Sequence, residues 1–320
     1  MLGKLLLRKI ENLIQIYKFL GLFKLIKSII NYVLYYFKKS ILNNKYWIKE
    51  VYDFKIMLPL SDLGISRYLS IFEERERDHK IMLEEILKEG ITILDVGANI
   101  GYYVLIEAKK IGNGGKIYAL EPSLFNCKYL IKNIKLNNLE NIVSIFPLAL
   151  SNKSEKRYFY LSSMSNLGTF HPLESRKDTM KKIEIDAMDV VSFLKNKKLP
   201  NLIRMDVEGH EVEILESLIE AIKLYNFYPL IIFEPHKPRY NEIHNMRKQL
   251  TNLFSIGYAV AMMSSTDEKN ARFKEMGYSP FRVIKSDFMY RGIYRKIKPE
   301  DAIKLICDIG FVRTVLLSYG

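Results

Sequence analysis

Apolar residues recur every three or four positions at the start of the chain: Leu2, Leu6, Ile10, Leu13, Tyr17, Leu20, Phe23, Ile26, Ile30, Val33 and Phe37. Lys4, Arg8, Glu11, Gln15 and Lys18 hold the same spacing on the other side, so the pattern predicts an amphipathic helix over 2–37. Residues 47–68 read as short strands and turns, punctuated by Pro59 and Gly64, and 70–88 as a charged helix closed by Glu89-Gly90. The run Glu73-Glu74-Arg75-Glu76-Arg77-Asp78 within it is expected to be a solvated face with i,i+4 pairs.

From residue 91 the period changes. Ile91, Ile93, Leu94 and Val96 make a short β-branched run, followed by a helix over 102–111, a glycine turn at 112–115 and a second strand at 116–120. Ser123 is placed to cap a helix whose buried stripe is Leu124, Cys127, Ile131 and Ile134. Further strands are expected at 142–146, 202–205, 230–233, 257–263 and 281–290, with 314–317 as an additional candidate. The helix after 202–205 buries Val212, Leu215, Leu218 and Ile222. Segments 157–161 and 182–185 form an inserted hairpin around the polar loop SSMSNLGTFHP, a composition that suits a substrate-lining loop. Strands alternating with helices predict an α/β fold: a Rossmann-like, mainly parallel sheet with helices on both faces and an N-terminal amphipathic helical extension. The chain divides into a basic extension (1–46), a pre-core cap segment (47–90), a catalytic domain (91–290) and a C-terminal extension (291–320).

Charge changes the picture only at the N-terminus. Of the formal net charge of +13, residues 1–50 carry +8, leaving +5 on the other 270 residues. The longest uncharged run there, Ser28 to Phe37, is ten residues, which reads as too short to cross a bilayer, and no small-residue cleavage site follows it. An apolar stripe flanked by lysines suits a helix lying on an anionic membrane surface through residues 1–40; packing on its own domain or on a second copy of the chain fits equally well. The expected location is cytoplasmic, peripheral on the inner face of the membrane. Cys127 and Cys307 show no metal-ligand spacing and read as buried thiols.

The candidate chemistry begins at ITILDVGANIG. An acid, Asp95, ends the strand, and Gly97 and Gly101 let the chain bend into a helix N-terminus that offers unpaired N–H groups to a ligand. The spacing is neither GxGxxG nor a phosphate loop, and two such glycines also serve simply to pack a helix closely on a sheet. The second strand ends in Glu121-Pro122, about 20 residues on, where a carboxylate accepts the hydroxyls of a ribose.

DVGANIGYY, then YALEPSLFNCKYLIKNIKLNN, then IRMDVEGHEVEIL, resembles the FkbM-type methyltransferases, over about 51–263. The resemblance implies a seven-stranded class I methyltransferase fold, S-adenosyl-L-methionine as cofactor, and O-methylation of sugars or small metabolites. On these positions it implies a cofactor site of Asp95, Gly97, Ala98, Asn99, Gly101, Glu121, Pro122, Ser123 and Ala149, with Asp206 beside the methyl group.

In an open α/β sheet, ligands sit beyond the carboxyl ends of the strands, so Asp95, Glu121, Asp206 and Glu234 are expected on one edge. Asp206, Glu208, Glu234 and His236 are the candidates for acceptor binding or general base, His236 as a neutral imidazole taking a hydroxyl proton. A divalent ion among these four is an alternative, but with no tight ligand motif no metal residues are assigned. Simpler roles exist: Glu211 as a first-turn acid, His210 as a cap, Glu208 bonding turn backbone and His236 ordering the loop before Pro238. The sequence thus points to an S-adenosylmethionine-dependent O-methyltransferase of a carbohydrate or other small-molecule hydroxyl, without a strong nucleic-acid signal. An RNA methyltransferase and a non-catalytic S-adenosylmethionine-binding assembly module are the rivals.

Overall fold

The computed structural model describes the backbone of residues 2–177, 179–266 and 271–320, and their side chains apart from 2–18, 176, 177 and 271. Helix α1 (Leu2–Tyr36) leads into a hairpin, β1 (Tyr46–Val51) and β2 (Phe54–Pro59), and two short helices, α2 (Ile65–Phe72) and α3 (Arg77–Ile86). The core begins with β3 (Thr92–Val96), α4 (Tyr102–Ile111), β4 (Lys116–Leu120), α5 (Leu124–Leu136) and β5 (Val143–Phe146). An inserted sheet follows, of β6 (Ala149–Ser151), β7 (Glu155–Leu161) and β8 (Lys181–Asp189). The chain returns to the core with β9 (Leu202–Met205), α6 (Glu211–Tyr225) and β10 (Leu230–Phe233), then β11 (Tyr258–Ser265), β12 (Arg282–Ser286), β13 (Met289–Tyr294) and β14 (Val312–Tyr319).

The main sheet has nine strands in the order β12-β13-β11-β14-β10-β9-β3-β4-β5. β5, β4, β3, β9 and β10 are mutually parallel, and β14 enters antiparallel between β10 and β11. Alternation along β3 splits the core: Leu94 and Val96 pack on one face with α6, Ile93 on the other with α4. Seven of these strands form the expected class I sheet, but the seventh is β14 rather than residues 281–290, which form the edge hairpin β12–β13. Residues 291–320, read from sequence as an extension, therefore supply a strand in the middle of the sheet.

Other expectations also change. The helix over 70–88 is two helices, broken where Glu73 and Glu76 adopt positive φ. Glu76 and Asp78 are buried there: Asp78 accepts from Ser264 and Ser286, so the charge run faces the interior as well as solvent. On α5, Leu124 and Ile131 are exposed and the buried stripe is Cys127, Leu130 and Ile134.

Helix α1 forms as expected, with a sharp change of direction at Gly21 (φ 76°). The packing of Leu2, Leu6, Ile10, Leu13 and Tyr17 lies outside the described side chains. From Phe19 to Ile41 the helix is, by length and composition, long and apolar enough to cross a membrane, correcting the inference from the ten-residue run. The uncharged run understates it because isolated lysines are tolerated within an apolar window. Its polar side faces the protein: Lys24 pairs with Glu74, Lys27 with Glu73, Asn31 donates to the Ile71 carbonyl and Tyr35 to that of Leu60. Phe23, Ile26, Ile30, Val33 and Phe37 face outward.

Candidate active site

Extension of the parallel ladder beyond the strand ends sets the site. The Gly97 and Ala98 N–H groups both donate to the Leu120 carbonyl, Asp206 N–H to Val96, and Glu234 N–H to Met205. Gly97 has φ 85°, and a Cβ there would stand 2.1 Å from the Asp206 carbonyl oxygen; at Gly101 (φ 95°) it would meet Leu130 at 2.7 Å. Both glycines are thus required by close backbone and helix packing, the simpler of the two roles foreseen. Asn99, the residue type that best tolerates the left-handed region, sits between them at φ 51°.

A cleft opens over this loop. Gly97, Asn99, Glu121, Pro122, Ser123 and Ala149 line it, with Asp206 and Glu208, and with Ser165, Asn166, Gly168 and Phe170 of the insert. Glu121 accepts from Asn99 N–H (2.8 Å), Ser123 N–H (2.9 Å) and Asn126 Nδ2 (3.2 Å). Burial pushes its pKa up to about 7 against these three hydrogen bonds. Asn126 Oδ1, in the same cleft, is buried with no hydrogen-bond partner, an acceptor that a ligand N–H or O–H would satisfy. Leu148, Leu150, Phe159 and Phe170 give apolar wall for a flat ring. A buried carboxylate, an orphaned acceptor and apolar walls fit S-adenosylmethionine.

Asp95 does not line this cleft, although the resemblance placed it in the cofactor site. Strand alternation turns its carboxylate under α4, where it is fully buried and bonds Arg204 Nη1 at 2.7 Å across the β3–β9 register. Arg204 reaches on to Asp206 at 3.4 Å and lies 3.9 Å over the Tyr103 ring. A second, partly buried arginine system backs the first. Arg313 on β14 contacts Glu234 and reaches Glu76 at 2.6 Å, and Glu76 also accepts from Arg75 and Tyr103.

His236 joins the two systems. Its Nδ1 is 2.7 Å from Glu211, and its Nε2 is 3.5 Å from Glu208 and 3.8 Å from both Asp206 and Glu234. Burial favours the neutral ring, but the surrounding carboxylates, Glu211 and Glu208 first, outweigh it and raise its pKa well above the usual histidine value. These carboxylates favour the charged ring, which works against the neutral base expected from sequence. Glu234 pairs with Arg313 and does not line the cleft. Burial raises the Asp206 pKa while Arg204 and His236 draw it down. Burial would raise Glu208 too, but His236 and Arg239 hold it below the ordinary value. Asp206, with 27% of its side chain exposed, and Glu208 reach the cleft, in addition to Glu121.

Glu208 adopts φ 52° in the tight turn before Gly209, and Arg239 holds its carboxylate at 3.1 Å. Glu211 binds His236 and Tyr240 rather than serving only the helix dipole, and His210 makes no capping bond. Sequence reasoning missed Arg204, Arg313 and Glu76; a lone arginine inside the apolar strand LIRM was the available signal for the first.

A methyltransferase FkbM domain model matches residues 95–278, more than half of the chain. The hexuronic acid methyltransferase AglP of Haloferax volcanii is 29% identical over 157 residues, 49% of this chain and 60% of that protein. Methyltransferase 1 of Beauveria bassiana is 24% identical over 144 residues, 39% of this chain and 57% of that protein. In both cases the match spans less than two-thirds of the relative's own length. Among solved structures, an FkbM methyltransferase from Methylobacillus flagellatus is 12% identical, with a TM-score of 0.38, covering 72% of this chain and 52% of that one. The matched domain runs from the loop under the cleft through β9, α6 and β10, and the chain belongs to the FkbM methyltransferase family.

Proposed function

We propose that the protein is an S-adenosylmethionine-dependent O-methyltransferase acting on a hydroxyl of a carbohydrate, and that it works at an anionic membrane surface. The observation that carries the first part is the pair Asp206 and Glu208 at the open side of the cofactor cleft, backed by Arg204, His236 and Arg239. When bound, S-adenosylmethionine supplies a methyl carbon already activated by its sulfonium. The residues must hold the acceptor in line and take one proton as its oxygen gains the methyl group. Asp206 takes the hydroxyl proton, its basicity raised by burial, and Glu208 accepts a neighbouring hydroxyl. Arg204 and His236 flank the Asp206 carboxylate and orient it. The similarity to a hexuronic acid methyltransferase supports a sugar acceptor.

The membrane part rests on α1, which docks through its polar side and leaves an apolar stripe outward in a strongly basic segment. Those docking contacts favour a helix lying on the surface over one crossing it. The test is methyl transfer from labelled cofactor to a panel of uronic acids and lipid-linked or nucleotide-linked sugars. Label on a sugar hydroxyl, lost in Asp206→Asn, is expected; label on RNA alone would overturn the reading. For the membrane part, Phe23→Glu with Val33→Glu is expected to release the folded protein from anionic vesicles, and unchanged partitioning refutes it.

A further inference from the structure

Behind the insert wall of the cleft, three of the protein's five histidines converge on one carboxylate. His171 Nε2 lies 3.3 Å from Glu213 Oε1, while His210 Nδ1 and His244 Nε2 each lie 3.2 Å from Glu213 Oε2. His171 Nε2 is also 3.0 Å from His210 Nδ1. One donor atom from each of His171, Glu213 and His244 falls within a 4.8 Å cluster. The three residues are partly exposed, so an ion can enter.

The geometry of the group suits an ion as well as hydrogen bonds. His210 Nε2 lies 3.0 Å from Ser151 Oγ, and its Nδ1 is turned toward both Glu213 and His171. The contacts among these three residues run from 3.0 to 3.3 Å, and metal–ligand bonds of about 2.0–2.1 Å set the edge of a tetrahedral zinc site at about 3.3–3.4 Å.

We propose that His171, Glu213 and His244, with His210 as the fourth donor, bind one divalent transition-metal ion, and that Zn²⁺ is the ion this imidazole-and-carboxylate set selects. Hard Mg²⁺ and Ca²⁺ are disfavoured by so many nitrogen donors. The Ser151 hydroxyl then fills the usual role of the group that orients a ligating imidazole. The ligands come from three separate segments: the insert loop before β8, the start of α6, and the stretch after β10. His171 directly follows Gly168 to Phe170, which wall the cofactor cleft, and Arg239 donates to its carbonyl. The ion therefore clamps that wall to the core, and it is distinct from the cluster around Asp206.

The test is titration of the metal-free full-length protein with Zn²⁺ against a chromophoric chelator, and with Co²⁺ followed by its d–d absorption. One equivalent per chain and a four-coordinate Co²⁺ spectrum are expected. Affinity should fall by more than the roughly 10–100-fold cost of losing a supporting residue in both His171→Gln and His244→Gln, with circular dichroism unchanged. Asp206→Asn should bind Zn²⁺ as the wild type does. Absence of stoichiometric binding, wild-type affinity in both histidine variants, or loss in Asp206→Asn alone would overturn the assignment.

Discussion

Burial sets the Glu121 pKa at about 7 in the unliganded protein, so its charge changes across the range in which binding is measured. Ribose hydroxyls donate to an ionised carboxylate, and the cofactor therefore selects the deprotonated form. Apparent affinity then weakens by the factor 1 + 10^(pKa − pH), which is about 11 at pH 6 and about 1.1 at pH 8, a tenfold gain between them. Stability has the opposite sign. The folded pKa lies above the reference of 4.5, so the folded state binds the proton more tightly, and unliganded stability declines as pH rises from about 4.5 through 7. The full span of that loss is about 3 kcal/mol at roughly 1.4 kcal/mol per pKa unit. The assay is calorimetric titration with S-adenosylhomocysteine at pH 6, 7 and 8, paired with urea unfolding of the free protein. Glu121→Gln supplies the baseline, since it keeps the ligand's own titration and removes that of the carboxylate. A wild-type pH profile parallel to that of Glu121→Gln would refute the placement of Glu121 against the ribose.

Three further outcomes follow from the geometry. Asp206→Asn should retain S-adenosylhomocysteine binding and lose about 10²–10⁴-fold in transfer rate, and unchanged turnover would remove it as the base. Arg204→Met strands Asp95 in the core and should cost about 3–5 kcal/mol in urea unfolding, most of it recovered in Arg204→Met with Asp95→Leu; additive losses would show that the pair does not act as one. Gly97→Ala places a methyl group 2.1 Å from a carbonyl at positive φ, so cofactor binding should be abolished and the melting temperature lowered, whereas wild-type affinity would contradict the loop geometry.

The strands and the glycine loop were legible because periodicity and turn chemistry are local signals. Asp95 shows the limit: its position at the strand end was readable, but its direction depends on the β3–β9 register that puts it opposite Arg204. The run from Glu73 to Asp78 reads the same whether solvated or ion-paired inside, and partners as distant as Arg313, more than 200 residues on, hold Glu76 in the interior. β14 carried a visible strand pattern, yet nothing in residues 312–319 states that it inserts between β10 and β11. Cys127 and Ile134 were read correctly on α5, whereas Leu124 and Ile131 failed because hydrophobicity alone does not fix which flank of a stripe is covered. The histidines around Glu213 have no motif spacing, since they come from segments far apart in sequence.

The central claim is that the cleft between Gly97, Glu121 and Asp206 holds the cofactor with its sulfur toward Asp206. A crystal structure with S-adenosylhomocysteine tests it most directly. The expected density shows the ribose hydroxyls on Glu121 and the sulfur opening toward Asp206 and Glu208; a nucleoside bound elsewhere, or with its sulfur turned away from Asp206, would contradict the account.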